Sequence, residues 1–251
     1  MRLARRPSAA AAGRPSPDTS TPRGDNAMAH LPVVTDADAE TATEVAALFA
    51  GANMLLGRLS NAVRTGAHSP RLMQPLFGFM VAALREEVSG VLDKRTKTLV
   101  ILKTSMLNGC AYCVGHNTIL GRALGFGDDT IAALEGEGWR DSGMFTDAEK
   151  AAIDWAHHLT ERTYRQNRGA MAVLKCHYNE AQIVEITMVC GYFNFWNRFT
   201  DGLEIDIEPR EVNNLFRKST KIDVGQYVDF MRSCWWNDDA TVAAATRDAA
   251  E

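Results

Sequence analysis

The stretch Leu107-Asn108-Gly109-Cys110-Ala111-Tyr112-Cys113-Val114-Gly115-His116-Asn117 gathers the residue types in this chain best suited to chemistry. Two of the five cysteines stand three apart, and a histidine follows three residues after the second. Asn108 reads as an N-cap, because the apolar positions Ile119, Leu120, Ala123 and Leu124 recur at helical spacing beyond it. Both cysteines then lie in the first two turns of a helix. At about 100° per residue, Cys110, Cys113 and His116 share an arc of about 120°. The unpaired N–H groups and dipole of a helix N-terminus stabilise a thiolate. Cysteines at this spacing can close a disulfide without rebuilding the backbone, and a histidine can carry the proton. Nucleophilic thiol, resolving thiol and proton carrier make up a dithiol redox site.

Other chemistries fit these residues less well. A structural zinc site needs four ligands; this segment offers three, and only Cys176-His177 could supply a fourth. Haem attachment would need a histidine directly after the second cysteine. A thioredoxin-like site would need strands alternating with helices, and strand patterns are scarce. Two inert, buried cysteines remain the plain alternative, but the histidine clustered at the same helix start argues against it. His157-His158 read as satisfied or solvated side chains. No metal and no cofactor are expected.

The elements that must position this stretch are helical. Folded sequence is expected from Thr35, with one helical run from Ala39 to Val63 ended by Gly66. Ser69-Pro70 opens the next helix, to Glu87, and Gly90 breaks it. Asp93 caps a strongly apolar helix that leads to Asn108. Gly125 reads as a stop, and Asp128 or Asp129 starts a short helix through Leu134. The loop from Gly136 to Phe145, carrying Trp139, reads as a mobile flap. Thr146 and Asn179 each open a capping box, one for a helix to about Arg165 and one for a long helix through Phe199. Pro209 begins a short helix, and a last amphipathic stretch runs from Val224 to Trp236. The expected fold is all-α, with a single domain over 35–236 and a frayed tail over 237–251. Residues 1–34 read as a disordered extension, with Met28 as the true start.

Composition sets bounds on partners. A net charge of −4 over 251 residues argues against nucleic acid, and no apolar run reaches the roughly 18 residues of a membrane span. Five cysteines, an odd number, do not suit a secreted disulfide framework, so a cytoplasmic location is expected.

The segment Leu92–Leu124, with Asn108-Gly109-Cys110-x-Tyr112-Cys113 and His116 at its centre, resembles the alkylhydroperoxidase D / carboxymuconolactone decarboxylase family. The resemblance runs from about Asp36 to Glu208. It implies an alkylhydroperoxidase D-like helical fold and a homo-oligomer, a trimer or a multiple of one. It implies Cys113 as the thiol that attacks a peroxide and Cys110 as the one that closes the disulfide, with an external dithiol reductant restoring both. The family's relay glutamate and histidine fall on Thr98 and Asn117, which cannot do that work. His116 is left as the proton carrier, so the catalytic set is Cys113, Cys110 and His116. The alternative implied is a non-redox lyase, decarboxylase or isomerase acting on a small organic acid, with His116 as base and Glu185 or Arg198 as its partner.

Overall fold

The computed structural model describes residues 30–248, so the expectations for the extension before His30 and for the last three residues lie outside the described part. Every regular element among the described residues is a helix. α1 (Asp36–Thr41) starts at a Thr35 capping box, at the point where folded sequence is expected to begin. The run read as one helix from Ala39 to Val63 is instead divided. α2 (Thr43–Leu56) stops where Gly57 turns left-handed at φ 69°, and Ser60 caps a separate α3 (Asn61–Gly66). A left-handed residue ends an α-helix whatever the apolar spacing beyond it.

α4 (Pro70–Leu84) and the one-turn α5 (Glu86–Ser89) follow, and Gly90 closes them at φ 68°. Asp93 accepts the Thr96 N–H and opens α6 (Lys94–Asn108). Gly109, at φ 69°, reverses the chain into α7 (Ala111–Ala123). α6 is the central element and packs against α7, α9 and α11. Its buried face contributes Val100 and Ile101 to the main core and Leu99 and Leu102 to a smaller one.

That smaller core contains α8 (Asp128–Glu135) and fixes the segment that reads as a flap. Trp139 is buried among Leu99, Leu134 and Ile153, and its backbone N–H donates to the Ala133 carbonyl. The loop is therefore pinned rather than free. α9 (Asp147–Thr160) starts at the predicted Thr146 box but ends five residues short of Arg165. The stretch beyond it forms α10 (Arg168–His177), which the sequence reading left without an element.

α11 (Glu180–Gly202) is the longest helix, opened by the Asn179 box, and it runs alongside α6 and α9. α12 (Arg210–Asn214) leads through a 3₁₀ turn, 215–219, to α13 (Val224–Ser233). α13 lies across α2 and α4, where Gly51 and Gly78 leave room for Phe230 and Met231; a Cβ on Gly78 would sit 2.7 Å from the Met231 sulfur. Beyond Asn237, where fraying is expected, Asp239–Asp248 forms α14. No helix among the described residues is long and apolar enough to cross a membrane.

Candidate functional site

The dithiol sits at the α6–α7 corner, with one shift from the sequence reading. Asn108 is the last residue of α6 and not a cap; its side-chain amide donates to Asn194 and Asn197 on α11. The N-cap of α7 is Cys110 itself, whose Sγ accepts the Cys113 N–H at 3.3 Å. Gly109 causes the shift: its left-handed turn ends α6 and makes the next residue the cap of α7. Both thiols are reduced and buried, and Thr200 Oγ1 stands 3.2 Å from Cys110 Sγ and 3.5 Å from Cys113 Sγ.

One charge is divided unequally between them. A hydrogen bond from the Cys113 thiol lowers Cys110 to about 6 against the opposing effect of burial, with help from Thr200 and the Cys113 N–H. The same bond, and burial after it, push Cys113 well above the ordinary thiol range. The thiolate therefore rests on the capping sulfur, where the backbone N–H and the helix dipole favour it.

His116 lies one turn along α7 from Tyr112 and is likewise buried. Its Nδ1 is 2.7 Å from the Tyr112 carbonyl and its Nε2 is 2.5 Å from Glu208 Oε2. Both ring nitrogens face acceptors, an arrangement that only the doubly protonated imidazolium satisfies in full.

Glu208 is the residue that the sequence reading missed. Its Oε1 accepts the Tyr112 hydroxyl at 2.8 Å and the Asn61 N–H at 2.5 Å, and Arg58 Nη1 lies 3.2 Å from Oε2. Burial raises this carboxyl, but the His116 hydrogen bond and charge, the Arg58 charge and the Asn61 N–H outweigh it and hold it at about 2. Tyr112, raised by burial first and by Glu208 next, stays a neutral donor while its oxygen accepts the Ala62 N–H. The break at Gly57 makes this possible, since it delivers Arg58 and the first-turn N–H groups of α3 to one corner.

The family's relay positions play no part in the constellation. Thr98 is buried with its hydroxyl bonded to the Lys94 carbonyl, and Asn117 donates to the Cys113 carbonyl. Glu185 pairs with Lys97 at 2.6 Å, and Arg198 bonds the Asn194 carbonyl on the far side of α11, so neither partners His116. His158 bonds Thr163, and Cys176 is exposed on α10.

Cys113 and His116 line one small cavity of about 40 Å³, closed by Leu56, Met80, Trp196 and Phe216. A space of that size holds one to three waters or a molecule of similar bulk. The site therefore places a thiol and an imidazole beside a space for a small reactant. A buried carboxylate anchors the imidazole.

Comparison with known proteins bears on the family and the fold. Residues 70–158 match the model of the carboxymuconolactone decarboxylase family. The YdfG protein of Bacillus subtilis (strain 168) is 26% identical over 117 residues, 43% of this chain and 74% of its own length. YnjA of Escherichia coli (strain K12) is 24% identical over 115 residues, 45% of this chain and 62% of YnjA. Among solved structures, a candidate AhpD antioxidant-defence protein from Agrobacterium tumefaciens is 27% identical with a TM-score of 0.52, covering 58% of this chain and 96% of that one. The debrominase Bmp8 superposes with a TM-score of 0.61 at 18% identity, covering 78% and 99%, a likeness of fold alone. The fold is all-α and alkylhydroperoxidase D-like, and the resemblance read from the sequence is borne out.

Proposed function

We propose that this chain is a thiol-dependent peroxidase in which Cys113 meets the peroxide, Cys110 closes the disulfide and His116 supplies a proton. The observation that carries the reading is the cavity shared by Cys113 and His116, with Cys110 hydrogen-bonded behind Cys113. The Cys110 thiolate takes the Cys113 proton, which frees the cavity-facing sulfur to attack. The new sulfenate sulfur–oxygen bond forms as the O–O bond breaks, and the imidazolium of His116 protonates the departing alkoxide or hydroxide. The Cys110 sulfur then displaces water from the sulfenic acid, leaving a disulfide. In sum, two thiols and one peroxide give a disulfide, an alcohol and water. A dithiol of small-molecule or protein origin reduces the disulfide by exchange.

The lyase reading draws less support. It asks His116 to take a proton, whereas both of its nitrogens face acceptors. The resemblance also supports a homo-oligomer of three chains or a multiple, and the odd number of cysteines supports a reducing cytoplasm.

Thiol titration before and after one equivalent of peroxide tests the proposal. Two thiols per chain should disappear, and peptide mapping should find a Cys110–Cys113 link. Turnover of peroxide with both thiols still free would sink it.

A further inference from the structure

α11 has two working faces, and only one serves the dithiol. Trp196 lines the cavity beside Cys113, and Thr200 touches both sulfurs. The opposite face, with Gly191, Asn194, Phe195 and Arg198, forms one wall of a groove of about 430 Å³. The end of α9, with Leu159 and Arg162, forms the other wall. That volume lies within the range of small-molecule sites.

Three observations define what the groove would take. First, in a chain of net charge −4, no acidic residue lines it. Second, among the described residues neither Arg162 nor Arg198 forms an ion pair. Arg198 bonds only Asn194, at its backbone carbonyl (2.6 Å) and its side-chain oxygen (3.2 Å). Third, Arg162 occupies the position just after the α9 C-cap with φ 59°, where glycine is the favoured residue. An arginine held there costs conformational energy that glycine would not, and such outliers concentrate at ligand sites. The lining also offers apolar surface, from Leu159 and the half-exposed ring of Phe195.

We infer that this groove binds an amphipathic monocarboxylate, with its carboxylate between Arg162 and Arg198 and its apolar body against Leu159 and Phe195. The guanidinium fork suits a planar carboxylate. Gly191 keeps the groove floor open, because a side chain at that position would project into it. The inference concerns a site separate from the dithiol cavity and stands whether or not the peroxidase reading holds.

Calorimetric titration of the full chain with octanoate tests it, with octanol and inorganic phosphate as comparisons. Octanoate should saturate at one site per chain, with octanol and phosphate each at least about tenfold weaker, the scale of losing charge-assisted hydrogen bonds or apolar burial. Arg162→Gly and Arg198→Gln should each weaken octanoate by about tenfold. Because glycine suits φ 59°, Arg162→Gly should keep or raise the melting temperature, which separates lost binding from lost folding. No saturation, equal binding of octanol, or unchanged affinity in both variants overturns the inference. It is equally overturned if octanoate fails to bind and the sedimentation mass falls in both variants, since a second copy of the chain would then fill the groove.

Discussion

Buried charge occurs in two regions of this molecule and does different work in each. On α6, Lys97 and Lys103 are fully buried, and their ammonium groups bind neighbouring elements. Lys97 forms an ion pair with Glu185 and donates to the Ser89 hydroxyl and the Ala82 carbonyl, while Lys103 donates to the Leu134 and Gly136 carbonyls. Both are depressed below the usual lysine range, by burial first. At the α7 corner, Arg58, His116 and Glu208 are as deeply buried, yet Arg58 and His116 line a cavity. The lysines join main-chain ends that would otherwise lack partners, whereas the histidine borders a space that a reactant can enter. Depth of burial alone does not distinguish a clamp from a site; what lies beside the charge does.

Substitutions at the two regions should separate these roles. The largest effect belongs to Cys113→Ser, which should abolish peroxide-dependent loss of two thiols while leaving the melting curve near that of the parent. Glu208→Gln comes next. It should lower peroxide turnover at least about 10²-fold, the usual scale of acid–base help, because His116 loses its anchor and its charge partner. Its stability signature has a definite sign. A carboxyl held at about 2 instead of 4.5 stabilises the fold fully above 4.5 and loses that contribution as pH falls through 2. The difference is worth roughly 3 kcal/mol. Acid titrations followed by circular dichroism should therefore converge for parent and variant near pH 2. Parallel curves across pH 2–5 would remove Glu208 from the argument.

Lys97→Met should do the reverse of Glu208→Gln. A loss of about 2–3 kcal/mol in urea unfolding is expected, from a broken buried pair with one partly exposed partner. Turnover per folded chain should not change. A fall in turnover matching that of Glu208→Gln would erase the distinction between the regions. The smallest effect is that of pH on the thiols. With Cys110 at about 6, the thiolate fraction, and with it the rate of iodoacetamide labelling, should rise about tenfold from pH 5 to pH 7 and level off above. A midpoint near 9 would mean that the cap does not hold the charge.

Local signals made much of this legible in the sequence. The caps at Asp93, Thr146 and Asn179 are side-chain patterns within four residues, and each begins a helix as expected. The Cys110, Cys113 and His116 cluster is likewise a matter of spacing along one turn and a half. Gly57 is harder to read, because apolar periodicity continues past it and only the backbone dihedral reveals the break, while at Gly109 the expected break stands and only its cap moves, from Asn108 to Cys110. Reading through Gly57 hid the corner that carries Arg58. Glu208 left no local trace at all. It lies 92 residues from His116 in sequence and meets it only because the chain after α11 folds back over α7. The pairing of Glu185 with Lys97 shows the same limit from the other side, since nothing near Glu185 in sequence announces that partner.

The capping sulfur has one more consequence. In the dithiol form, Cys110 Sγ satisfies an otherwise unpaired N–H of α7 and places negative charge at the helix start. Joining it to Cys113 removes that charge and weakens the acceptor, so the helix is better capped before oxidation than after. A cap of this kind is worth about 0.5–2 kcal/mol. For a two-electron couple, about 1.4 kcal/mol corresponds to about 30 mV. The helix should thus raise the reduction potential of the pair by some tens of millivolts, making its disulfide the more readily reduced partner in exchange with an ordinary dithiol. Equilibration against glutathione would read that offset, and a potential as low as that of an inert structural disulfide would contradict it.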